Sequence, residues 1–211
     1  RLYRSMVSSR LSELSQQEDP PFINGYFSRG PLVRSKDASY WGAVAYEKEI
    51  EKALRAILTE SRRVDLYGFT GKELERAKKK LKKSYEQAYK ERDTTSSSSF
   101  LGEYTRHFLT GETAPGIEEE WRLVKELRPK IDKEEIERIH KKYMKNRPRV
   151  LVITGPEKEG LEYPDEGRID SLIEKVEKSS VEPYSDDFEG TSLLAENPEK
   201  GTIVVREHYK E

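Results

Sequence analysis

The sequence predicts an α+β domain in which an antiparallel sheet is covered on one face by long helices. Three observations carry that prediction. Apolar residues recur at steps of three and four in seven stretches. Two short runs rich in aromatic and β-branched residues flank a Gly30-Pro31 turn. A nearly all-apolar run, RVLVIT at 149–154, lies between Pro148 and Gly155-Pro156.

The first helix is expected from Leu2 to Gln17, with Met6, Leu11 and Leu14 apolar. Asp19-Pro20-Pro21 ends it, because proline cannot donate to the helical ladder. Phe22–Ser28 and Ser39–Tyr46 read as strands that pair antiparallel across the intervening loop. A helix from Lys48 to Leu66 places Ile50, Ala53, Leu54, Ile57, Leu58 and Val64 on one stripe.

The segment GFTGKELERAKKKLKKSYEQAYKERDTTSSSSFLGEYTRHFLTGETAPG, residues 68–116, is the most informative in the chain. Thr70 and Glu73 form a capping box, and Leu74, Ala77, Leu81, Tyr85, Ala88 and Tyr89 continue a helical stripe from it. Six hydroxyl residues, Thr94–Ser99, then compete for backbone hydrogen bonds and break the helix. A second stripe, Phe100, Leu101, Tyr104, Phe108 and Leu109, runs to a stop at Gly111 and Pro115, giving a hairpin-like helical pair. Helices follow at Ile117–Leu127, Asp132–Lys145 and Glu166–Glu177, with 149–154 a buried strand between the last two. From Ser179 the periodicity disappears. The expected organisation is a domain at 1–178, lacking its first strand, and a linker with a terminal strand (202–206) at 179–211.

Composition limits the function. With 39 basic and 40 acidic residues the net charge is −1, which gives no overall attraction to nucleic acid or an anionic membrane. The chain has no cysteine, which removes disulfides, zinc-thiolate sites and thiol nucleophiles together and suits cytoplasm and periplasm equally. No apolar run approaches the roughly 20 residues of a membrane span. The opening Arg-Leu-Tyr-Arg lies within a helical pattern and has no initiator Met, so a preceding segment is expected.

Candidate chemistry is sparse. Glu103 and His107 share a helix face, and Glu137 and His140 have the Glu-x-x-His spacing of bundle metal sites. A di-metal bundle needs that motif twice, however, and zinc needs three or four ligands, so surface helix residues are the better reading. Lys78, Lys79, Lys80, Lys82 and Lys83 face away from the apolar stripe among glutamates and read as a solvated face. Ser96–Ser99 have neither a Gly-x-Ser-x-Gly frame nor a histidine partner. The loop at 155–160 lacks the Gly-Lys-Ser/Thr ending of a phosphate loop. On these grounds the residues themselves define a soluble α+β module without a catalytic site.

Several stretches together resemble the insulinase/pitrilysin family of zinc metallopeptidases, which includes the mitochondrial processing peptidases. They are SSRLSEL at Ser8–Leu14, the helix EKALRAIL, the helix start GFTGKELERAKKKLKKSYE, the run FLGEYTRHFLTGE and the strand RVLVITGP, in the family's order. The tail LLAENPEKGTIVVREHYKE resembles the connector to the second half of two-lobed bacterial members. The resemblance implies a lobe of two similar α+β domains whose halves enclose a chamber for unfolded peptides.

Zinc is held in that family by a His-x-x-Glu-His helix, a pentad this sequence lacks, so no metal ligand or general base carries over. An Arg and Tyr supplied by some family domains are matched here by Ser15 and Phe22. The expectation is a non-catalytic second domain of the first lobe, with no cofactor of its own and zinc in the catalytic domain of the parent protein. Its partners would be that domain, the second lobe and peptide substrate. Phe22, Asn24, Tyr26, Tyr40 and Trp41 are the expected chamber-surface contacts. An alternative is an assembly subunit pairing with a separate catalytic chain.

Overall fold

The computed structural model describes residues 1–144, 148–186, 201–202 and 204. Helix α1 (Leu2–Leu14) stops three residues before the expected Gln17, as Ser15 Oγ donates to Ser12 O ahead of the prolines. The chain turns back into β1 (Asn24–Val33), which pairs antiparallel with β2 (Lys36–Val44). The hairpin is longer and its turn tighter than the sequence suggests. Register runs from Asn24↔Val44 to Pro31↔Asp37, with a bulge before Val33↔Lys36. Proline 31 lacks an N–H to give to a ladder, so an irregularity there is expected.

Helices α2 (Ile50–Tyr67) and α3 (Gly71–Lys90) follow, joined through Gly68, whose φ of 64° favours glycine. The capping box forms as read. Thr70 Oγ1 accepts from Glu73 N–H at 3.2 Å, and Glu73 Oε2 accepts from Thr70 N–H at 2.7 Å. Helices α4 (Ser97–Thr110), α5 (Ile117–Leu127), α6 (Lys133–Tyr143) and α7 (Glu166–Lys178) complete the described part. Asp132 and Asp165 cap α6 and α7 by accepting from Glu135 and Arg168 N–H.

The core lies where α1, α2 and α3 meet one face of the hairpin. Met6, Val7 and Leu11 of α1 pack with Phe22 and Phe27, with Ala53, Ile57 and Val64 of α2, and with Phe69, Leu74 and Ala77. Ile136 of α6 closes one end. Wholly buried side chains such as Leu11 and Phe22 each contribute about 1.5–3 kcal/mol.

Two expectations are corrected. The run at 149–154 forms no strand, and Val150 and Val152 are 90% and 74% exposed. Apolar character does not suffice for a strand, because the backbone groups also need an edge to pair with. Here β1 and β2 pair with each other, and no third strand joins them among the described residues. Secondly, α3 packs along α5 rather than pairing with α4, whose apolar stripe buries no residue. Residues just past 178 also make contacts with the helices. Val181 is buried, Arg63 donates to Glu182 O, and Arg76 pairs with Asp186 at 2.6 Å. The strand expected at 202–206 lies, apart from 202 and 204, outside the described residues.

Candidate functional site

Strand alternation divides the expected contact residues. Asn24, Tyr26 and Tyr40 share the hairpin face turned away from α1, together with Ser28 and Gly42. Tyr26 is 50% and Tyr40 40% exposed. The ring of Tyr26 lies over Gly42 so closely that a Cβ there would meet Tyr26 Cζ at 2.4 Å. Glycine is thus required for this ring to lie flat across the ladder, and the face presents an aromatic, hydroxyl-bearing surface.

Phe22 and Trp41 point elsewhere. Phe22 is wholly buried, its ring near Gly25 and Leu11, so it holds the hairpin rather than presenting a surface. Trp41 belongs to the inner face, with its ring 5.2 Å from Phe27 in an edge arrangement. The strand expected from Phe22 begins instead at Asn24, so residue 22 lies outside the strand alternation.

The metal-like pairs do not converge. His140 is buried on α6, where Nδ1 lies 2.9 Å from the Tyr3 hydroxyl. Its Nε2 sits 2.7 Å from Asp65 Oδ1 but off line for a hydrogen bond. His107 is on the exposed α4, its Nδ1 2.6 Å from Glu112 O. Among the described residues no group of three or more histidines and carboxylates could hold a metal.

A pocket of about 260 Å³ opens beside His140, lined by Met6, Asp65, Phe69, Leu74, Ile136 and Glu137 among others. Its lining includes a base-like His–Asp pair but no serine, threonine or cysteine that could act as a nucleophile. Burial, reinforced by the charge of Asp65, pushes the Tyr3 phenol well above its usual range. The phenol therefore stays neutral and bridges α1 to α6.

The most heavily charged buried feature went unread in the sequence. Arg10 on α1 is 2% exposed and makes a fork to Glu73, Nε to Oε1 at 2.6 Å and Nη2 to Oε2 at 2.9 Å. Its Nη1 donates to Glu60 Oε1 and Nη2 to Gly68 O, each at 2.9 Å. The rings of Phe69 and Tyr184 lie 4.9 and 4.2 Å from the guanidinium. Arg63 pairs with the other oxygen of Glu60. Although burial opposes its charge, the two carboxylates raise the Arg10 pKa above its ordinary value. The cluster welds α1, α2 and α3 into one unit.

These features describe a scaffold: an α+β layer with one open hairpin face and no metal centre among the described residues. Comparison with known proteins gives that scaffold a class. No family model matches the chain. The fold is similar to that of part of the periplasmic protease PqqL of Escherichia coli. The structure of the first half of PqqL superposes with TM-score 0.72 at 14% identity, covering 87% of this chain and 40% of that one. The structure of the whole protease gives 0.72 at 15% identity, covering 97% and 23%. In sequence the chain is 26% identical over 214 residues to the zinc protease PQQL-like of Arabidopsis thaliana, spanning all of this chain and 19% of the relative. The resemblance to insulinase-type zinc peptidases read from the sequence is borne out, and the chain spans about a fifth of the curated relative it matches.

Proposed function

We propose that the chain is a non-catalytic domain of an insulinase-type zinc protease, forming part of the wall of a peptide chamber while another domain performs the cleavage. The observation that carries this reading is the relation along the whole chain to one-fifth of a zinc protease. The described residues offer helices, a hairpin and a buried ion cluster rather than a metal centre. The surface proposed to meet substrate is the outer hairpin face of Asn24, Tyr26 and Tyr40. An extended peptide suits such a face, because aromatic rings supply apolar area and phenolic hydroxyls supply hydrogen bonds without demanding one sequence.

The mechanism proposed for this chain is therefore positional. Zinc bound in the catalytic domain would activate water for peptide hydrolysis, and this chain would hold part of the substrate's length against the chamber. The test uses the intact protease with a quenched-fluorescent unfolded peptide. Replacing Tyr26→Ala and Tyr40→Ala removes about 1 kcal/mol of contact per ring, so KM rises roughly fivefold for each. The value of kcat should hold, since neither ring touches the scissile bond. An unchanged KM in both variants removes the hairpin face from substrate binding. An intact protein that cleaves no peptide with zinc removes the protease reading itself.

A further inference from the structure

We propose that the apolar face of α4 is an interdomain contact, seated in an apolar surface of another folded domain of the same longer polypeptide. The inference rests on the reading of the chain as one domain of a larger protease. Phe100, Leu101, Tyr104 and Phe108 are 40%, 66%, 60% and 86% exposed. At about 100° per residue they fall within an arc of about 100° on the helix, a stripe wide enough for docking. Phe100 and Tyr104 already stack on each other, with centroids 6.4 Å apart. Outside that arc the helix is polar apart from Leu109, and on the opposite side Arg106 pairs with Glu112 at 3.1 Å. The helix thus has one side prepared for water and one that is not.

Helix stability decides which occupant fits. At 14 residues α4 is near the length at which an isolated helix is marginal in water, and most helices depend on packing of the apolar face. No residue of α4 is buried here. A substrate that comes and goes would leave the helix without support between turnovers, whereas a resident domain supports it throughout. The relatives have the length to supply one, because the chain covers 40% of the PqqL half and 19% of the plant protease.

The test places photoreactive benzoylphenylalanine at position 108 of the intact protease, irradiates it and maps the products by mass spectrometry. The expected product joins position 108 to the same polypeptide outside residues 1–211, and it is lost when Leu101→Glu and Tyr104→Glu are added. Cross-links confined to 1–211 overturn the proposal. So do cross-links confined to added unfolded peptide, or to a second copy in a mixture of light and heavy protein. Yield no higher than from the same group at exposed Leu66 on α2 also overturns it. Failure of the two readings is distinguishable. A protein that forms the intramolecular link yet cleaves nothing loses the protease function and keeps this contact. A zinc-dependent protease without the link does the reverse.

Discussion

Tyr3 joins two elements through one hydroxyl, which lies 2.9 Å from His140 Nδ1 while the ring packs edge-on against Phe69. Burial and the nearby Asp65 raise its pKa, and this has a consequence for stability at alkaline pH. Below about pH 10, the ordinary tyrosine value, Tyr3 is protonated both folded and unfolded and contributes no slope. Above it the unfolded chain releases the proton while the folded chain retains it, so stability falls as pH rises toward the folded pKa. Tyr3→Phe should lower stability by about 1 kcal/mol at neutral pH through loss of the hydrogen bond, and should flatten the alkaline decline. Urea unfolding at pH 8, 10 and 11 checks this. A difference between wild type and Tyr3→Phe that stays constant across those pH values would show that the phenol does not titrate late. The residue scale also shows what the sequence concealed. Arg10 falls on the stripe of Met6 and Leu14, Glu60 on that of Ile57 and Val64, and Glu73 beside Leu74. Charges in phase with apolar stripes on three helices were the available signal for a buried cluster. Sequence periodicity shows that each charge faces inward, but only the fold shows that they meet.

Elements were legible where local chemistry defines them and less so where a distant partner does. The helix starts at Thr70 and Asp132 follow from side chains that reach the backbone three residues on, and both caps form. The run at 149–154 has equally clear composition but depends on an edge elsewhere, and it stays unpaired. The stripe of α4 likewise predicts a helix correctly but not its packing partner, because amphipathicity specifies a face without its occupant. The capping box permits a test at this scale. Thr70→Ala removes one cap bond and should cost about 1 kcal/mol, while Thr70→Ser should be nearly silent. Glu73→Ala removes the reciprocal bond and also leaves Arg10 with one carboxylate fewer in the core. Breaking one side of a buried pair costs about 3–5 kcal/mol, so its denaturation midpoint should fall well below that of Thr70→Ala. Equal midpoints for the two variants would mean that Glu73 acts only as a cap and that Arg10 is held by Glu60 alone.

For the whole molecule, apolar side chains divide between a closed centre and an open periphery. The centre is the meeting of α1, α2, α3 and the inner hairpin face, fastened by the Arg10 cluster. The periphery comprises α4, the run at 149–154 and the outer hairpin face, where Phe108, Val150 and Tyr26 face solvent. Local stability should follow this division, since opening energy reflects how much packed surface a segment must release. In hydrogen exchange of the 211-residue chain, amides of α1 and α2 should exchange slowest, near the rate set by global unfolding. Those of α4 should exchange much faster although they lie in a continuous helix, because no buried side chain resists fraying. In the intact protease the contact proposed for Phe108 should bring α4 toward the protection of α2. If α4 is already as protected as α2 in the 211-residue chain, the helix stands without a partner and the physical argument for its interdomain role fails.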